Sequence, residues 1–126
     1  MRATGFSESA ATKHFGHAAR LLPQGSIDDV FREVESGHAH YAVVPVENST
    51  EGVVARSLDL FLHTPLFIVG ETSLFVRHNL LRRENSLEGI TAVVAHPQAL
   101  AQSHAWLPHH LPHAERRPVA SNAAGA

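Results

Sequence analysis

The sequence of 126 residues contains no cysteine, which excludes disulfide bonds, thiolate metal sites and catalysis by a thiol. No apolar run approaches the roughly 18 residues that cross a bilayer, and the N-terminus lacks the apolar core of a signal peptide. A basic excess is also absent, because the formal net charge is -2. We therefore expect a cytoplasmic protein with neither membrane nor nucleic-acid partners.

The residue type in clear excess is histidine, with 11 in a chain whose 44% hydrophobic and 17% charged residues are typical of a globular domain. The segment "HLPHAE" places His110 and His113 near Glu115, which could suggest a metal site. Pro108 and Pro112, however, are expected to break the helix that would align these side chains, and no HExxH pattern occurs. We expect no metal site and interpret most histidines as surface residues.

Two helices are predicted near the N-terminus from capping residues and apolar spacing. The first covers residues 6–20 with Ser7 as its N-cap. The second covers residues 25–38, with Ser26 as its N-cap and Gly37 as its C-terminal stop. Both carry acidic residues in the first turn, where the helix dipole favours negative charge.

The rest of the chain predicts strands alternating with helices. The valine-rich run 40–46 predicts a strand buried on both faces, and an apolar stripe from Val54 predicts a helix. Residues 65–78 contain two strand-like runs, residues 90–107 a strand followed by a helix, and residues 116–126 a strand and the start of a helix. This order indicates an α/β fold with parallel strands.

Polar loops follow three of the predicted strands, at Glu47–Gly52, His96–Gln98 and Ser121–Asn122. In parallel sheets, ligands bind beyond the carboxyl ends of the strands, where helix N-termini attract anions. The loops therefore predict a site for a small acidic ligand. The alternative is that each loop only caps the helix that follows it.

Five blocks of the sequence resemble, in order, the catalytic domain of prephenate dehydratase. The blocks are "GFSESAA", "VVPVENSTEGVVARSLDLF", "IVGETSLFVRHNLL", "AHPQALAQSHAWL" and "VASNAAGA". The resemblance covers essentially all 126 residues and is best to bifunctional bacterial enzymes in which a chorismate mutase precedes the dehydratase. It implies decarboxylating dehydration of prephenate to phenylpyruvate, in L-phenylalanine biosynthesis, without a metal or organic cofactor.

The resemblance also implies roles for individual residues. Asn48 and Gln102 are expected to orient the substrate or donate hydrogen bonds in the transition state. Glu47 is a candidate acid, or the residue that holds the acid, if its cleft raises its pKa. The expected substrate contacts are Ser7, Ser49, His96, Ser121 and Asn122. The alternatives are structural: a Glu47–Arg56 ion pair, a turn at Asn48, a solvent-facing Gln102 and a capping His96.

The family fold is a two-lobed α/β fold similar to type II periplasmic binding proteins, and a homodimer is the family expectation. Here "FSE" is not preceded by the family's opening strand, and the chain stops before its Thr-Arg-Phe motif, which holds its best-known catalytic threonine. We therefore expect an incomplete fold, with residues 1–69 forming most of lobe one and residues 70–126 most of lobe two. Unpaired strand edges would favour self-association.

Three functional hypotheses follow from the sequence. The first is a prephenate dehydratase, impaired or inactive as a truncated chain. The second is a module that binds a small carboxylate without turning it over. The third is an inactive remnant of the same fold. Arogenate, which is closely related to prephenate, stays open as a substrate, although similarity to the bifunctional enzymes favours prephenate.

Overall fold

The computed structural model describes residues 5–125, which divide into two compact units, 5–75 and 76–125. Residues 1–4, where the family's opening strand was expected to be missing, lie outside the described residues. Both helices and strands are present, which confirms the predicted mixed α/β content. Within residues 5–125, no helix has the length and apolar character needed to cross a membrane.

The first unit contains three helices and a short hairpin. The helices are α1 (Phe6–Phe15), α2 (Ile27–Glu35) and α3 (Ala55–His63), and the hairpin strands are β1 (Glu47–Asn48) and β2 (Gly52–Val53).

Helix α1 begins at a different residue from the one predicted. Its N-cap is Gly5, which has an extended backbone and whose N–H donates to Glu8 Oε2 at 3.3 Å. Ser7 therefore lies inside the first turn, and its prediction as the N-cap was wrong. The glutamate carboxylate satisfies the backbone donor at the helix start, so a serine hydroxyl is not needed there. The helix also ends at Phe15, five residues before the predicted end at Arg20.

Helix α2 confirms the capping prediction. Ser26 Oγ accepts a hydrogen bond from Asp29 N at 3.1 Å, and the helix ends at Glu35. Gly37 follows the end of the helix with a φ of 79°, a left-handed conformation that favours glycine.

Helices α2 and α3 pack together in the first unit. The rings of Phe31 and Phe61 meet edge to face, with their centroids 5.4 Å apart. At the surface, Arg56 of α3 donates to Asp28 of α2 through the two guanidinium nitrogens Nε and Nη2, and to Asp59 through the third, Nη1, at 2.9 Å. The hydrogen bond from Arg56 holds the pKa of Asp28 below its usual value.

The predicted buried strand over residues 40–46 was wrong. No ladder forms there, and Tyr41 is 60% exposed. Residues 65–78 likewise form no strand, and Phe67 is 89% exposed. Both runs have the composition of strands, but a strand also needs a neighbouring strand to form a ladder, and among residues 5–125 the strand ladders are β1–β2 and β3–β4.

The second unit is built on the parallel strand pair that the sequence predicted. Strand β3 (Ala92–Ala95) pairs with β4 (Glu115–Pro118) in parallel, with Ala92 opposite Glu115 and Ala95 opposite Pro118. Two helices connect these strands and a short helix follows β4. They are α4 (Pro97–Gln102), α5 (Trp106–His110) and α6 (Asn122–Gly125). The core of the unit consists of Val93, Leu107, Leu111 and Ala114.

The connection between β3 and β4 is two helices rather than the single predicted one, because a turn at residues 103–105 separates α4 from α5. The expectation that Pro108 breaks a helix was also wrong. Pro108 lies in the first turn of α5, where its missing N–H costs nothing, whereas Pro112 follows the end of that helix.

Candidate functional site

The polar loop of the first unit is the tight turn of the β1–β2 hairpin. Glu47 pairs with Val53 and Asn48 with Gly52, whose φ of 80° allows the chain to reverse. Val54 N donates to Val46 O at 2.9 Å and extends the pairing by one bond. The chain thus folds back on itself between Asn48 and Gly52.

The side chain of Asn48 holds this turn together. Its Oδ1 accepts hydrogen bonds from Thr50 N at 2.8 Å and from Glu51 N at 3.1 Å. The turn role weighed in the sequence analysis is therefore real. These contacts use only the amide oxygen, so the Nδ2 group keeps the capacity to donate two hydrogen bonds to a ligand.

Glu47 and Ser49, the neighbours of Asn48 in the hairpin, are both exposed. The suggested Glu47–Arg56 ion pair is not formed, since Arg56 pairs with Asp28 and Asp59 instead. Ser7 lies on α1, in the same unit but on a different element, and is also exposed.

In the second unit, the structure brings three predicted residues together at the carboxyl end of the parallel strands. His96 N donates to Asn122 Oδ1 at 2.9 Å, which links the end of β3 to the start of α6. His96 Nδ1 accepts from Gln98 N at 3.1 Å, and Ser121 Oγ accepts from Ala124 N at 3.1 Å. Both side chains cap the helices that follow them, as the structural alternative expected.

These capping bonds determine which atoms can face a ligand. Since His96 Nδ1 acts as an acceptor, the proton of the neutral ring resides on Nε2. The amide of Asn122 uses its oxygen for the backbone of His96, which leaves the Nδ2 donors. This end of the sheet therefore presents uncharged hydrogen-bond donors.

Gln102 lies at the other end of α4, about 7.5 Å along the helix axis from Pro97. It is half-buried, and its Oε1 is 2.5 Å from Nε2 of His78. No motif in the sequence indicated a role for His78. The available signal was that His78 follows the apolar run "LFV" closely, much as His96 follows "AVV".

Four of the candidate residues, taken from both units, are uncharged hydrogen-bond donors. The side chains of Asn48, Gln102 and Asn122 end in amides, and His96 presents an imidazole N–H. Uncharged donors of this kind hydrogen-bond carboxylate and hydroxyl oxygens. Within residues 5–125, no group of three histidine, aspartate or glutamate side chains is arranged to hold a metal ion. Each unit of this mixed α/β chain thus carries groups that can hydrogen-bond to oxygen atoms of a small anion.

Comparison with known proteins identifies the family. The prephenate dehydratase family model matches residues 2–126, so the chain belongs to the prephenate dehydratase family. It is 54% identical, over 122 residues, to a bifunctional chorismate mutase/prephenate dehydratase of Neisseria gonorrhoeae, covering 96% of this chain and 34% of that protein. It is 38% identical, over 135 residues, to a prephenate dehydratase of Mycobacterium sp. (strain JLS), covering 96% of this chain and 42% of the relative.

A plant relative is named for two dehydratase activities. The chain is 43% identical, over 98 residues, to "Arogenate dehydratase/prephenate dehydratase 2, chloroplastic" of Arabidopsis thaliana, covering 77% of this chain and 26% of that protein. The chain thus spans about a third of the length of the bifunctional relatives it matches.

Proposed function

We propose that this chain contributes the active site of a prephenate dehydratase, which converts prephenate to phenylpyruvate, water and carbon dioxide. The observation that carries the proposal is the family match over residues 2–126. The geometry supports it, because Asn48 uses its amide oxygen to hold the hairpin turn and keeps its amide N–H groups for a ligand. The proposed reaction requires no metal or organic cofactor.

The reaction requires that the protein orient the ring of prephenate and that the leaving hydroxyl gain one proton. The bond between the ring and its carboxylate breaks and releases carbon dioxide, and the electron pair moves into the ring. The bond to the 4-hydroxyl breaks at the opposite ring carbon, and that oxygen leaves as water after it gains a proton. Aromatisation drives both cleavages, so the protein has to hold the ring in a reactive conformation and assist the leaving hydroxyl.

We assign Asn48 and Gln102 as the donors that orient the ring or stabilise the transition state. Glu47, exposed beside Asn48, is the proposed source of the proton. The proposed substrate contacts are Ser7 and Ser49 in the first unit, with His96, Ser121 and Asn122 at the end of the β3–β4 pair.

The wider arrangement is proposed on the same basis. Residues 1–69 and 70–126 belong to two lobes of a fold similar to type II periplasmic binding proteins, and the protein is a cytoplasmic homodimer. Prephenate is favoured over arogenate because the relatives at 48–54% identity are bifunctional chorismate mutase/prephenate dehydratases.

A second candidate is a module that binds a small carboxylate without turnover. It is favoured by the local hydrogen bonds of the polar loops, since the side chains of Asn48, His96 and Ser121 all satisfy neighbouring backbone N–H groups. Such a module would be stabilised by prephenate through mass action yet would form no phenylpyruvate.

The test compares phenylpyruvate formation from prephenate by the wild-type protein, Asn48→Asp and Asn48→Ala. Aspartate keeps an oxygen that accepts from Thr50 N and Glu51 N but lacks the Nδ2 donors and adds a negative charge near the dianion. We expect Asn48→Asp to keep the melting temperature within a few degrees and to lose at least about 100-fold in kcat/KM, which is the order expected for one transition-state donor.

Four results of this test are informative. Wild-type turnover that Asn48→Asp abolishes supports the dehydratase and the role of the amide. A prephenate-dependent rise in melting temperature without turnover supports the binding module. Absence of both contradicts each proposal, and full activity of Asn48→Asp would remove Asn48 from the site.

A further inference from the structure

The amide of Gln102 is hydrogen-bonded to a residue for which no motif in the sequence indicated a role. His78 Nε2 lies 2.5 Å from Gln102 Oε1, a contact that joins positions 24 residues apart within the second unit. We propose that His78 is a positioning residue that orients the Gln102 amide for prephenate. The inference rests on the proposed function, because it assumes that Gln102 contacts the substrate.

The contact has only one chemically consistent direction. The Oε1 atom of glutamine accepts hydrogen bonds and cannot donate them, so His78 must donate from Nε2. Both the neutral tautomer protonated at Nε2 and the charged imidazolium carry this proton. The bond therefore requires an N–H group at this place and does not require a charge.

The consequence for Gln102 is a defined orientation of its terminal amide. A glutamine amide can exchange its oxygen and nitrogen by a half-turn, and hydrogen-bond partners alone decide between the two arrangements. With Oε1 bound to His78, the Nε2 group is the part of the amide that remains to bind a substrate oxygen. A fixed donor avoids the entropic cost of ordering a flexible glutamine when substrate binds.

The position of Gln102 at the end of α4 explains why a hydrogen bond from outside that helix can fix its side chain. Gln102 is the last residue of α4, a helix of six residues that ends at the Ser103 C-cap. The side chain is half-buried, whereas His78 is exposed and lies outside any helix or strand. Replacing His78 therefore removes the hydrogen bond while leaving the core of Val93, Leu107, Leu111 and Ala114 unchanged.

The experiment measures kcat and KM for prephenate with His78→Leu, His78→Gln and Gln102→Ala, and with the double variant His78→Leu/Gln102→Ala. Leucine removes the donor, whereas glutamine supplies an amide N–H in its place. His113→Leu is the matched control, because His113 is exposed in the turn before β4, at the opposite end of the strands from His96. Melting temperatures of all variants are recorded without substrate.

We expect His78→Leu to lower kcat/KM by about tenfold, the value of one neutral hydrogen bond of ordinary strength. His78→Gln should recover most of the loss, and His113→Leu should match the wild type. In the Gln102→Ala background, His78→Leu should cause no further loss, because a residue that acts only through Gln102 has nothing left to orient. The melting temperature of His78→Leu should stay within a few degrees of the wild type.

Several results would overturn the proposal. His78→Leu with unchanged kinetics would show that the contact is irrelevant to the reaction. Losses that multiply in the double variant would show that His78 acts independently of Gln102. A loss in His78→Leu that His78→Gln does not recover, or that parallels a fall in melting temperature, would exclude a donor that orients the amide. An inactive wild-type protein would instead refute the proposed function itself.

Discussion

Ser57 offers a direct test of how helix α3 is packed. Its side chain is fully buried at 0% exposure, and its Oγ has no hydrogen-bond partner among the residues that the structure describes. A buried hydroxyl that loses water without gaining a partner costs about 1–3 kcal/mol in proteins. We therefore predict that Ser57→Ala raises the free energy of unfolding.

The magnitude follows from three contributions. Removal of the unpaired hydroxyl gains about 1–3 kcal/mol, and the higher helix propensity of alanine adds about 0.5 kcal/mol. The few contacts of the lost oxygen, at about 0.1–0.2 kcal/mol each, subtract roughly 0.5 kcal/mol. The expected net gain is about 1–3 kcal/mol, since the last two contributions nearly cancel. Each kcal/mol raises the melting temperature of a unit of this size by roughly 4–8 °C.

Urea unfolding monitored by circular dichroism measures the change. Ser9→Ala is the control, because Ser9 is a half-buried helical serine in α1 of the same unit and reports the gain in helix propensity alone. A gain for Ser57→Ala no larger than that of Ser9→Ala would show that the buried hydroxyl costs nothing. A loss of more than about 0.5 kcal/mol would refute the reasoning, since it would reveal a hydrogen bond that the hydroxyl makes in solution.

Two further predictions concern the loss of stability at low pH and the packing of the backbone of α6 against β3. Because the hydrogen bond from Arg56 lowers the pKa of Asp28, the stability from this pair is present above about pH 4 and is lost as the pH falls through the lowered pKa. Asp28→Asn should flatten the acid limb of the stability curve, and an unchanged limb would contradict the pair's contribution. Gly125→Ala would place a Cβ 2.8 Å from Val94 O, so we expect thermal unfolding to show a loss of about 1–3 kcal/mol. An unchanged melting temperature there would show that α6 does not pack closely on β3.

Some local signals in the sequence predicted local structure correctly. Ser26 and Gly37 bound α2 as expected, and His96 with Pro97 starts α4, because each of these signals acts through hydrogen bonds or dihedral angles a few residues away. The parallel pairing of β3 and β4 was also predicted, since a strand, a helical connection and a second strand in the same sheet favour that topology.

The strand predictions failed where pairing depends on distant residues. The valine-rich run 40–46 and the run containing Phe67 have strand composition, yet neither belongs to a strand ladder among residues 5–125. A helix satisfies its backbone within one segment, whereas a strand needs a second one. Apolar composition therefore could not decide whether these runs form a sheet.

For the candidate site residues too, the sequence determined some properties and the tertiary structure others. The sequence by itself determined the family and the amide and imidazole groups that can bind a carboxylate, because these depend on residue identity and order. Only the tertiary structure decided that the amide oxygen of Asn122 accepts a hydrogen bond from the backbone of His96. It also decided that His78 bonds Gln102 across 24 residues. Such contacts depend on how the backbone brings distant segments together, which no local pattern in the sequence encodes.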